Sequence, residues 1–153
     1  MQDASKHYIN GQWVASIDGR EMAVENPSTE ESIATITLGG VADADAAVAA
    51  AKAAFPAWAV TDPLGRIAAL ERLMEVYKGQ AEDMAQAISF EMGAPIALAR
   101  TAQVGAGAGH LKNTIRAAKG FAFELPLGDH APSDMILYEP VGVCTLITPW
   151  NWP

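Results

Sequence analysis

The chain has 153 residues, 50% of them hydrophobic and 18% charged, with a formal net charge of -8 at pH 7. This is the balance of a folded globular protein, and the length suffices for one domain burying roughly 70% of its unfolded surface. The acidic excess and the absence of a Lys/Arg run exclude a nucleic-acid partner, since phosphate-backbone binding needs a basic stripe that releases counterions.

The opening "MQDASKHYIN" lacks the basic-then-apolar pattern of a signal peptide. Tyr8-Ile9 and Gln12-Trp13-Val14 flank Asn10-Gly11, and Ile17 and Glu21 to Val24 flank Asp18-Gly19. Both dipeptides tolerate the positive φ of tight turns, which predicts two hairpins. After the polar turn "ENPSTEE" comes "SIATITL", β-branched at alternate positions and closed by Gly39-Gly40.

From Val41 the texture becomes alanine-rich helix, with Asp43 as expected N-cap, Asp45 in the first turn, and Val48, Ala51 and Phe55 on one face. Pro56 is expected to end it, and Asp62-Pro63 reads as an N-cap followed by proline at the first helical position. Leu64, Ile67, Leu70, Met74 and Tyr77 follow at helical spacing, and Met84 and Ile88 continue the pattern until Gly93-Ala94-Pro95. A third helical stretch is expected from Ile96 to about Lys119. "LPLGDHAPSD" then reads as a loop or the bend of a hairpin arm. "MILYEP" reads as a strand ended by proline, and "VGVCTLI" as a strand apolar throughout, which predicts burial on both faces as in a parallel sheet. No apolar stretch approaches the ~18 residues of a membrane span.

Four features are candidates for chemistry. Gly105, Gly107 and Gly109 give G-x-G-x-G after helical sequence, without the strand and spacing of a dinucleotide fingerprint, so close helix packing is expected there. Cys144, the one thiol, lies in an apolar run with no evident cation to favour its thiolate, so core packing is expected. His7, His110 and His130 lack partners at metal-ligand or general-base spacing and read as surface or packing residues; a metal site is not expected. Asn151 sits in "ITPWNWP" between two tryptophans and two prolines. Its amide has two N–H donors, uncharged at any pH, suited to a transient negative oxygen; a turn asparagine after a strand explains it equally well.

"YINGQWV", "ENPSTEESIATI", "DADAAVAAAKAAFPAW", "DPLGRIAALERLMEVY", "EMGAPIALA" and above all "YEPVGVCTLITPWNWP" occur in this order. Together they resemble the amino-terminal portion of the NAD(P)-dependent aldehyde dehydrogenase superfamily over essentially the whole chain. The resemblance implies an α/β fold: an amino-terminal β segment plus helices of the cofactor-binding domain over 1–121, part of an oligomerisation arm over 122–139, and the first cofactor-domain strand with its loop over 140–153. It implies oxidation of a small-molecule aldehyde to a carboxylic acid with NAD or NADP, in a homo-oligomer, dimer or tetramer; the single cysteine, which cannot form an internal disulfide, separately suggests a reducing, cytoplasmic setting. It places the oxyanion donor on Asn151, the stretch lying against the dinucleotide on Ile147, Thr148, Pro149 and Trp150, and an aromatic of the aldehyde tunnel on Trp152. It makes Cys144 a strand residue rather than the nucleophile. The family's nucleophilic cysteine, general-base glutamate and ribose-holding lysine and acidic residue find no match before Pro153, so the chain reads as part of a longer enzyme and is expected to be inactive alone. The alternative is a short noncatalytic interaction or assembly module.

Overall fold

The computed structural model describes residues 5–149. Its order is β1 (Lys6–Ile9), β2 (Gln12–Ala15), β3 (Arg20–Asn26), β4 (Glu31–Leu38), α1 (Val41–Ala59), α2 (Pro63–Gly79), α3 (Ala81–Met92), α4 (Ile96–Leu98), a π-helical turn (Ala99–Gln103), α5 (Val104–Gly120), β5 (Glu124–Pro126) and β6 (Met135–Leu137). The described strands form three separate antiparallel pairs, β1-β2, β3-β4 and β5-β6.

Asn10 (φ 52°) and Gly11 (φ 78°) make the tight turn expected between β1 and β2. The expected second hairpin at Asp18-Gly19 does not form, because β2 and β3 belong to different sheets. That loop is spent on the start of α1 instead. Asp18 Oδ2 accepts from the Ala42 N–H at 3.2 Å. Asp43 is three residues inside the helix, which Gly40 caps. Its carboxylate accepts from the Ser16 hydroxyl at 2.5 Å, the Ile17 N–H at 2.8 Å and the Gly40 N–H at 3.0 Å. The expected N-cap is thus a buried clamp between the β segment and the helix layer.

Pro56 lies inside α1, which runs on to Ala59. Proline removes only its own N–H, and the residues after it can still donate four positions back, so one more turn survives. Asp62 caps α2 as expected, accepting from the Gly65 N–H at 3.0 Å with Pro63 at the first position. The pattern from Leu64 to Ile88, read as one run, is broken at Gln80 into α2 and α3. Gly79, a poor helix former, precedes the break. The change of direction lets α3 return against the Ile96–Gly120 run, where Ala85, Ile88, Ala94, Ala99 and Val104 form the core cluster. Ala85 and Ala99 are both 0% exposed. Gly93 closes α3 in the left-handed region (φ 70°), and a side chain there would also press on Ser28 and Asn26 of the β3-β4 turn.

The β5-β6 hairpin is tied back by Phe121, whose ring meets Phe123 at 4.8 Å and Tyr138 at 5.0 Å, and by Arg66 of α2 over the Phe123 ring at 5.2 Å. "MILYEP" supplies only the three residues of β6.

Candidate functional site

After Leu137 the described chain has no further helix or strand, and the expected strand "VGVCTLI" is not formed. Val141 is 93% exposed, and Leu146 and Ile147 are each 87% exposed. A strand is a property of a pair, and no neighbouring strand is present among the described residues to hydrogen-bond this segment or cover its faces. The apolar run was legible; its burial depends on partners that the local sequence does not contain.

Cys144 shares this fate. It is exposed rather than buried, with Sγ 3.8 Å from the Gly142 carbonyl oxygen. Ile147, Thr148 and Pro149 are exposed, and Trp150, Asn151 and Trp152 lie outside the described residues. The described part of the candidate site is therefore an open ledge of backbone and apolar side chains. Residues 140–149 hold no charged side chain, so this stretch supplies no counter-charge for a pyrophosphate.

The other candidates lie on other parts of the chain. Of Gly105, Gly107 and Gly109 on α5, Gly107 is a close helix contact: a Cβ there would overlap the Tyr77 hydroxyl, which donates to the Val104 carbonyl oxygen at 2.8 Å. Gly105 and Gly109 face no atom within 4 Å. Burial raises the Tyr77 phenol above its ordinary value. His110 and His130 are exposed, whereas His7 is half-buried with Nε2 enclosed and unpartnered. Among the described residues no cluster of three or more His, Cys, Asp or Glu side chains could hold a metal ion. No described helix is long and apolar enough to cross a membrane.

Two carboxylates are held well below their usual range, and neither was singled out for its environment in the sequence. Asp43, 5% exposed, is brought down to about 2 by the Ser16 hydroxyl first and then by the Gly40 and Ile17 N–H groups. Glu82 is brought to about 2 by Arg100, whose Nε and Nη2 reach it at 2.9 and 2.6 Å, with Gln86 adding a further bond. Both members of that pair are half exposed, so it fixes the geometry of the π turn against α3 while adding little to stability. Sequence spacing carries no sign of either partner, since Ser16 and Arg100 are 27 and 18 positions away.

A sequence profile of the aldehyde dehydrogenase family matches residues 13–153. The chain belongs to the aldehyde dehydrogenase family. It is 40% identical over its whole length to a 3-succinoylsemialdehyde-pyridine dehydrogenase of a Pseudomonas species, covering 31% of that protein. It superimposes on a crystal structure of a mutant aldehyde dehydrogenase C from Pseudomonas syringae, complexed with NAD+ and octanal, with TM-score 0.92 and 44% identity; 99% of this chain and 30% of that one are covered. Against a betaine aldehyde dehydrogenase from Staphylococcus aureus in complex with NAD+ the TM-score is 0.88 at 27% identity, covering 98% of this chain and 30% of that one. The chain thus spans about 31% of the length of the curated relatives it matches.

Proposed function

We propose that this chain is the amino-terminal third of a longer NAD(P)-dependent aldehyde dehydrogenase that oxidises an aldehyde to a carboxylic acid. The observation that carries the reading is the likeness, over 99% of the chain, to a structure that holds both NAD+ and octanal. Asn151 is the oxyanion donor: its side-chain N–H groups receive the carbonyl oxygen as it becomes an alkoxide when a thiolate adds to the carbonyl carbon. The sequence sets Asn151 between indoles and prolines, residue types that exclude water and restrict a backbone, and both effects raise the worth of a donor that needs no reorganisation during the step.

Ile147, Thr148, Pro149 and Trp150 lie along the dinucleotide through backbone and apolar atoms, and Trp152 lines the aldehyde tunnel. When bound, the nicotinamide accepts the hydride released as the thiohemiacetal carbon is oxidised. The thiolate and the base that activates the hydrolytic water come from the rest of the longer polypeptide. Cys144 lies in a segment, residues 140–149, that carries no cationic side chain, and it is not the nucleophile. The β5-β6 hairpin, with Leu125, Met135 and Leu137 exposed, is part of an oligomerisation arm. The enzyme is a cytoplasmic homo-oligomer that takes NAD or NADP.

In the complete enzyme, Asn151→Ala is expected to lower kcat by about a hundredfold to a thousandfold, the usual ~2.7 to 4 kcal/mol for one oxyanion donor. Steady-state kinetics with chemistry rate-limiting test this. A wild-type kcat would reduce Asn151 to a turn residue.

A further inference from the structure

Two helices of the core, α2 and α5, leave an open groove of about 830 Å³ between them. Its floor is apolar, with Met74 on α2 and Ile115 on α5 beside the small residues Ala68, Ala108 and Gly109. A floor of alanine and glycine lets another backbone approach closely, as between packed helices. The rim is charged, and its ions are unevenly satisfied. Glu75 is paired with Lys78 at 2.8 Å and Glu71 with Lys119 at 2.5 Å. Arg72 from α2 and Lys112 from α5 also line the groove, and among the described residues neither has an ion-pair partner. On a chain of net charge -8 this is a local surplus of positive charge around an apolar bed.

Arg72 and Lys112 are exposed at the rim, where an acidic side chain set beside them forms charge-assisted hydrogen bonds that a purely apolar occupant lacks. Charge complementarity therefore favours an occupant that brings its own carboxylate. We propose that the α2-α5 groove seats an amphipathic, carboxylate-bearing segment of the same longer polypeptide, with its acidic side chain set against Lys112 and Arg72. This inference rests on the reading of the chain as part of a longer enzyme. The relatives are about three times as long as the matched region, and a segment tethered in the same chain meets the groove at an effective concentration that a separate partner lacks.

Zero-length carbodiimide coupling of the natural full-length protein, followed by peptide mapping, tests it, because an amide forms only where a lysine amine and a carboxylate touch. The expected product links Lys112 to an Asp or Glu outside residues 1–153, within one polypeptide when isotopically labelled and unlabelled protein are mixed. Lys112→Arg, which keeps the charge, is expected to abolish that link while the Lys78-Glu75 link persists as internal control. In the wild-type protein, Lys112 is expected to acetylate several-fold more slowly than Lys52, which is exposed on α1. A link from Lys112 to a second subunit, or no such link at all, overturns the proposal whether or not Lys112 is reactive. An intact mass equal to 16.1 kDa would remove the underlying reading, whereas a longer protein lacking the link defeats the groove assignment alone.

Discussion

Asp43 shows how one carboxylate can join two layers. Buried and accepting from Ser16, Ile17 and Gly40, it holds the loop after β2 on the first turn of α1, and its negative charge also suits the helix N-terminus. Its carboxyl titrates at about 2 in the folded protein against 3.8 when unperturbed. The folded state therefore gains stability from this group above about pH 4, and loses it as pH falls through 3.8 toward 2. Asp43→Asn is expected to lower the Tm at pH 7 and to flatten the dependence of Tm on pH between about 4 and 2. An unchanged acid limb in a calorimetric pH series would show that the clamp contributes nothing.

At the scale of elements, α2 and α5 meet through Tyr77 and Gly107. Gly107→Ala is expected to push the Tyr77 hydroxyl off the Val104 carbonyl and to destabilise by about 1 to 3 kcal/mol from overpacking, only partly offset by up to ~1 kcal/mol of helix propensity. Gly105→Ala, which meets no atom, is expected to be neutral or stabilising by up to ~1 kcal/mol. Chemical denaturation of both variants separates packing from propensity, and an equal response from the two would refute the contact. The same helices show where local sequence is informative. The Asn10-Gly11 turn, the Asp62-Pro63 cap and the Gly93 stop were legible because each depends on backbone chemistry within a few residues. The break at Gln80, the persistence of α1 through Pro56 and the role of Asp43 were not, because each is decided by contacts or competing hydrogen bonds that spacing does not reveal. Of the candidate site, the resemblance carried by "ITPWNWP" supplied the residues, while the state of the strand before it required knowledge of its neighbours.

For the whole molecule, the accessible surface of 11303 Å² compares with roughly 7400 Å² for a compact monomer of this mass. The excess is apolar in several places: Val48 and Trp58 on α1, Leu73 and Val76 on α2, and Val141, Leu146 and Ile147 beyond β6 are all exposed. Such surfaces, with residues 141–149 outside any described strand, are templates for association. The 153-residue chain expressed alone is therefore expected to self-associate or to lack fixed aromatic packing, and to show no dehydrogenase turnover. Light scattering and near-ultraviolet circular dichroism check the first point. A monodisperse monomer with cooperative unfolding would contradict it.

The central claim is that these residues are one third of an aldehyde-oxidising enzyme, and the intact mass of the natural protein, measured on the fraction that reduces NAD or NADP in the presence of aldehyde, tests it most directly. The expected mass is about three times 16.1 kDa, in keeping with the 31% of the relatives' length that the chain spans. A natural product of 16.1 kDa, absent from any such active fraction, would contradict the account and favour a short noncatalytic module.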